Sequence, residues 1–151
     1  MWTCKPFAGL TLPELYAVLR LRSEIFVVEQ NCPYLDLDGL DEASFHLLGR
    51  TETGALAAYT RLLPQGVSYP EYASIGRVVV SPAHRGGGLG QALLRESIAQ
   101  CERLFGAGPI KIGAQQYLEK FYQRFGFEQY GEGYDEDGIP HIPMLRRGVP
   151  L

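Results

Sequence analysis

Cysteine is scarce in this chain, and the few present stand too far apart to act together. Cys4, Cys32 and Cys101 form neither an even disulfide framework nor a metal-ligand spacing, and they read as reduced thiols of a cytosolic protein. Histidine is equally thin. His46, His84 and His141 lack ligand spacing, so no metal is expected. No apolar run approaches the ~20 residues that cross a bilayer, and the opening Met1-Trp2-Thr3-Cys4-Lys5 holds no signal-peptide core. Positive charge is not in excess either: 14 Lys and Arg against 17 Asp and Glu leave a net charge of −3. That balance argues against a nucleic-acid footprint and tolerates a cationic partner better than an anionic one. Neither a nucleic-acid nor a membrane partner is expected.

What is there is ordinary globular composition, 46% hydrophobic and 21% charged, in 151 residues that suit one domain, 1–151. Thr11 and Glu14 have the spacing of a capping box at the start of a helix over 11–30, with Leu12, Leu15, Tyr16, Leu19 and Phe26 on its apolar face. An acid-rich turn region follows, with Asp36, Asp38, Asp41 and Glu42. Strands are expected over 45–51, 55–63 and 74–80, then a helix over 88–105 whose Leu94, Ile98, Cys101 and Phe105 make a buried stripe. A short strand at 110–115, a short helix at 116–125 ended by Gly126, and closing strands at 127–130 and 141–146 complete an α/β or α+β pattern.

The most informative segment runs from Val78-Val79-Val80 through Arg85-Gly86-Gly87-Gly88-Leu89-Gly90 into a helix. Glycines let the backbone turn with positive φ and approach a ligand closely. The free amides of the helix start, reinforced by its dipole, then favour an anion. Arg85 adds a guanidinium that can clamp phosphate oxygens. Two phosphate motifs fail here. A P-loop needs Lys-Ser/Thr after the last glycine, where this chain has Gln91-Ala92. A dinucleotide fingerprint needs a third glycine where Leu93 or Gln91 stands, and an acid where the next strand ends in Gln115.

The Arg-x-x-Gly-x-Gly spelling, together with Phe121-Tyr122-Gln123-Arg124-Phe125-Gly126-Phe127, resembles the GCN5-related N-acetyltransferase (GNAT) superfamily. Phe26 to Tyr34, Asp38-Gly39-Leu40-Asp41 and Asp137-Gly138-Ile139-Pro140-His141-Ile142 are similar to its ElaA-like subfamily. The resemblance implies a mixed central sheet with helices on both faces and splayed central strands. It implies acetyl-coenzyme A as co-substrate, with the pyrophosphate on Arg85, Gly86, Gly87, Gly88, Leu89, Gly90 and Gln91 and the pantetheine arm along Val78, Val79 and Val80. Gln115, Phe121, Tyr122 and Arg124 would complete the cofactor contacts.

An amine attacking a thioester needs a base, carbonyl polarisation and a proton for the departing thiolate. Tyr122 reads from its stripe as a core aromatic; the resemblance makes it the proton donor. A bulge in the strand before the loop would free an amide of Val79 or Val80 for the carbonyl. Glu29 is the first candidate base, or else a solvated helix-end charge or an anchor for a cationic substrate. His141 is the second, because imidazole titrates near neutral pH, and His46 is a weaker third. The acids at 36–42 form either an acidic substrate mouth or a solvated loop. Cys32 reads as a partly exposed thiol whose acidic neighbourhood would not activate it. The acceptor expected is a primary amine, small or a lysine side chain, and a second copy of the chain is a candidate partner. The alternative is a non-catalytic acyl-coenzyme A sensor on the same fold.

Overall fold

In the computed structural model, which describes residues 1–148, the first helix starts where the capping box places it. Thr11 Oγ1 accepts from Glu14 N at 3.2 Å, and Glu14 Oε1 accepts from Thr11 N at 2.9 Å. Helix α1 covers Leu12–Arg22 and passes into a π-helical stretch, Ser23–Glu29. There the amides of Gln30 and Cys32 reach back five residues, to the carbonyls of Ile25 and Val27, both at 3.0 Å. The buried face differs from the one expected. Val18, Leu21, Arg22 and Ile25 point inward, while Leu12 and Tyr16 are exposed and line a groove of about 600 Å³. The widened π turns and an arginine on the inner face break the simple apolar stripe.

Strands β1 (Trp2–Pro6), β2 (Phe45–Arg50), β3 (Leu56–Leu63) and β4 (Ser74–Val80) form an antiparallel sheet in that order. Strand β1 is not among the expected strands: Trp2 and Cys4 alternate with Thr3 and Lys5 over too few residues to mark a strand by themselves. Helix α2 (Leu89–Phe105) follows the glycine loop, and then come β5 (Ile110–Gln115), α3 (Glu119–Gln123), β6 (Phe127–Gln129), β7 (Tyr134–Glu136) and β8 (Ile139–Arg146). The second sheet runs β5-β8-β6, with β7 also on β8. The expected domain ended at 151; residues 149–151 lie outside the described part.

Helices cover both faces. On one, Val18 and Leu21 of α1 and Ile25 of the π-helical stretch pack on Leu48, Tyr59 and Val79. On the other, Leu94, Ile98 and Cys101 of α2 meet Ile110, Ile112 and Ala114 of β5 and Ile142 and Met144 of β8. Truncating one such leucine or isoleucine to alanine costs about 2–5 kcal/mol. Cys101 is the core thiol expected, and burial pushes it up to about 12. Cys32 is buried too, with Sγ 3.5 Å from Asp137 O, rather than partly exposed.

The acid-rich loop is neither a solvated loop nor an open acidic mouth. Asp36 and Asp41 are buried with Arg22 and Arg61. Arg22 donates to Asp36 Oδ2 at 2.9 Å and to Asp41 Oδ1 at 2.7 Å, and Arg61 donates to Asp38 Oδ2 at 2.8 Å and to Asp41 Oδ1 at 2.9 Å. Asp38 and Glu42 are exposed, Asp38 although Arg61 and Arg77 hold its carboxylate. A charge this deep survives only when paired, so the network fastens loop 31–44 to β3 and β4.

Candidate active site

The gap between β4 and β5 organises the site. Among the described residues, backbone hydrogen bonding joins these strands only at their starts, through a parallel bridge between Ala73, just before β4, and Ile110 and a 3.0 Å bond from Lys111 N to Ala73 O. β8 pairs with the opposite edge of β5 from Ile110 to Gln115, and no ladder joins β4 to β5 beyond the bridge, so the strands part towards Val80 and Gln115.

Strand β4 is itself irregular. Tyr59 pairs with Val79 and Arg61 with Gly76, so Arg77 and Val78 stand opposite Thr60 alone. This is a β-bulge. Arg77 takes φ 51, a left-handed conformation that costs an ordinary side chain of order 1 kcal/mol. Its guanidinium is held by Asp36 O at 2.9 Å and Asp36 Oδ1 at 2.8 Å, so the buried network secures the strained turn. Ser81 N binds Ala57 O at 2.8 Å. Successive amides of a strand point oppositely, which turns the Val80 amide into the gap and the Val79 amide towards β3.

At the open end the chain bends through 82–88. Gly86 and Gly88 have φ 89 and 79, and a Cβ added to Gly86, Gly87 or Gly88 would meet nothing within 4 Å. The first bond of the α2 ladder is Ala92 N to Gly88 O at 3.1 Å, leaving the amides of Leu89, Gly90 and Gln91 without a carbonyl one turn back. A Cβ on Gly90 would lie 3.9 Å from Val80 Cγ2 and 4.0 Å from Phe121 Cζ, so loop, strand end and α3 converge there. Arg85 stands beside the loop, its Nε donating to Val80 O at 3.2 Å and its Nη1 to Glu29 Oε1 at 2.8 Å.

Tyr122 is buried against Phe121 and Phe127, with ring centroids 5.3 and 6.0 Å away. Its hydroxyl makes no hydrogen bond among the described residues, and burial raises its pKa, keeping the phenol protonated at neutral pH. Across the gap, Gln115 pairs with His141 and Ala114 with Ile142. Ala114 and Ile142 belong to the core that holds Tyr122, so alternation puts His141 and Gln115 on the α1 face. His141 Nδ1 lies 2.7 Å from Ile139 O, a pure acceptor, so Nδ1 carries a proton, and Nε2 lies 3.4 Å from Glu136 Oε2. Gln91 and Arg124 are exposed beside the loop and α3. His46 is buried between Tyr59 OH at 2.7 Å and Asp41 O at 2.9 Å, and burial lowers its pKa; it serves the ion network.

This geometry has counterparts. The profile of the Acetyltransferase (GNAT) domain matches residues 33–147. The chain belongs to the GNAT acetyltransferase family. Within it the likeness is to the ElaA group: protein ElaA of Escherichia coli is 44% identical over 150 residues, covering 98% of this chain and 97% of ElaA. The crystal structure of E. coli ElaA superposes with a TM-score of 0.90 at 43% identity, over 97% of this chain and 99% of that one. An acyl-CoA N-acyltransferase from Pseudomonas aeruginosa gives 0.89 at 48% identity, with the same coverage. The protein is thus a GNAT-type acyltransferase of mixed α/β fold.

The GNAT family uses acetyl-coenzyme A, and the loop suits its phosphates: open space beside three glycines, unpaired helix-start amides and one guanidinium. Two residues of this site had no sequence signal of their own. Arg77 is an arginine where a bulge of this kind usually has glycine, and Tyr134 sits on a hairpin strand too short to show alternation. An arginine in the middle of the apolar run 56–63 was the one hint of the buried network.

Proposed function

We propose that this GNAT protein transfers the acetyl group of acetyl-coenzyme A to a primary amine by direct attack within a ternary complex. The observation that carries the proposal is the parting of β4 from β5, with the amides of 86–91 at its open end and Tyr122 beside it. Bound there, the cofactor supplies an acetyl thioester. Gly86, Gly87, Gly88, Leu89, Gly90 and Gln91 hold the pyrophosphate with Arg85, while Val78, Val79 and Val80 run along the pantetheine arm. Of these the Val80 amide is the one directed into the gap, and it polarises the carbonyl. Gln115, Phe121 and Arg124 complete the walls.

The residues move two protons. The amine nitrogen bonds to the acetyl carbon as the C–S bond breaks, Tyr122 gives its phenolic proton to the sulfur, and the nitrogen loses a proton to His141 Nε2. His141 is favoured over Glu29 as base because the Ile139 carbonyl holds its Nδ1–H and so makes Nε2 the accepting nitrogen of the neutral ring, whereas the Glu29 carboxylate is engaged by Arg85. Donor and acceptor then stand on opposite faces of the gap, so neither proton crosses the other's path.

The test is steady-state acetyl transfer to a panel of primary amines, with thiol release as readout. Tyr122→Phe should lower kcat by about 10²–10⁴-fold, the usual worth of a positioned acid, while coenzyme A affinity by calorimetry stays put. Tight coenzyme A binding with no thiol release from any amine would favour a non-catalytic acyl-coenzyme A sensor instead.

A further inference from the structure

On the α1 face of β5, directly beside the gap, lies a cluster that the transfer chemistry above uses only in part. Ile112 and Ala114 point into the core, so Gly113 faces the other way, and it is exposed although central in its strand. A Cβ there would collide with the Tyr134 hydroxyl and lie 3.6 Å from the Tyr69 hydroxyl, so two phenols converge over bare backbone. Tyr134 stacks on His141, with centroids 5.7 Å apart and planes at 22°. Glu136 closes the far side, its Oε2 3.4 Å from His141 Nε2. Burial raises the Tyr134 phenol to about 12, with the neighbouring Tyr69 and Glu136 adding to it, so the phenol stays protonated and offers an uncharged oxygen.

The surrounding charges have a direction. The stretch 130–140 carries Glu132, Asp135, Glu136 and Asp137 and neither lysine nor arginine. Arg77, the nearby cation of β4, is neutralised by Asp36 and Asp38. Lys111 has its ammonium on aromatic faces, 4.8 Å from the Tyr69 ring centroid and 5.8 Å from that of Tyr72, and Arg147 lies further out, over the Tyr130 ring that Lys111 also faces. A positive group is therefore drawn to the Glu136 end and repelled from the Lys111 end.

We infer that Tyr69, Tyr134 and Glu136, gathered over Gly113, form the acceptor subsite, and that it takes a primary amine arriving as an ammonium ion. The carboxylate and the two phenolic oxygens receive the ammonium hydrogens; the ammonium then gives one proton to solvent, and His141 Nε2, beside the resulting neutral amine, takes the second as the N–C bond forms. The inference rests on the acyltransferase proposal for the reaction, but the binding site can be tested without it.

The probes are cadaverine, Nα-acetyl-lysine methylamide and, as a control that carries a carboxylate, 5-aminopentanoate. Titrated into 15N-labelled protein loaded with coenzyme A, the first two should shift the amides of Gly113, Tyr134, Glu136 and His141, and the control much less. A stronger response to cadaverine points to a free diamine, a stronger one to the lysine derivative points to a peptide side chain, and either supports the subsite. Glu136→Gln, on an exposed hairpin, should raise the amine KM about tenfold, the worth of one charge-assisted contact, with a smaller fall in kcat and no change in coenzyme A affinity. Tyr134→Phe should raise KM less and in the same direction. Acetyl transfer that persists with unchanged KM in Glu136→Gln, or shifts that map away from Gly113, would overturn the subsite. Shifts at the cluster that vanish in Glu136→Gln, without transfer to any amine, would leave the subsite standing and remove the transfer proposal.

Discussion

Replacing Glu29 by glutamine separates two roles that the carboxylate could play. Arg85 Nη1 donates to Glu29 Oε1 at 2.8 Å, and the two side chains are 45% and 43% exposed. A pair this wet is worth about 0–1 kcal/mol. Arg85 must leave it to clamp a pyrophosphate, and the carboxylate left behind repels the incoming phosphates. Glu29→Gln removes both penalties, so coenzyme A should bind more tightly by about 1 kcal/mol, or roughly fivefold in Kd. Arg85→Ala loses a hydrogen bond to a charged group, about 1.5–3 kcal/mol, and weakens binding by roughly 10- to 100-fold. In the double variant the benefit of Glu29→Gln should shrink to the repulsion component alone, because its partner is gone. Calorimetry at low and high salt reads all three, and salt should compress the differences. If Glu29→Gln leaves Kd unchanged and lowers turnover by orders of magnitude, Glu29 is the base and the arrangement drawn here for Arg85 is wrong.

Other outcomes follow from the buried charges and the bulge. Asp41→Asn leaves Arg22 and Arg61 without their shared carboxylate, and should lower unfolding stability in urea by about 3–5 kcal/mol. Burial alone would raise Glu14 and Asp38, but the Thr11 amide, Lys5 and Arg50 hold Glu14 at about 2, and Arg61 with the Leu40 amide holds Asp38 at about 2. Carboxyls depressed in the folded state contribute fully above their unfolded value near ~4, and that stability is lost as pH falls through about 2. The urea midpoint should therefore be flat from neutrality to mildly acid pH and drop below it; a drop confined to neutral pH would point elsewhere. Arg77→Gly keeps the left-handed turn but removes the tether to Asp36, and should lower kcat more than it weakens coenzyme A binding. Equal losses in both would mean that the arginine serves only the fold.

Most of the frame was legible because it is written in short-range chemistry. The capping box at Thr11 and Glu14, the stripe through Leu94, Ile98 and Cys101, and the glycine loop are each set by neighbours in sequence. What stayed hidden depends on long-range partners. Leu12 and Tyr16 looked like core residues because nothing local reveals that α1 widens into π turns and buries Arg22 instead. The loop acids were read by composition, yet Asp41 receives its partners from 19 and 20 residues away in sequence, Arg22 and Arg61. Tyr134 and Glu136 sit on a strand of three residues, where alternation has no room to register. The candidate site is legible where a family motif spans it and illegible where tertiary contacts alone assemble it.

The most direct test is a crystal structure with coenzyme A bound. The pyrophosphate should lie against the amides of 86–91 with Arg85 turned onto it and away from Glu29, and the sulfur should sit within hydrogen-bond reach of Tyr122 Oη. A nucleotide bound elsewhere, or a sulfur remote from that phenol, would contradict the account at its centre.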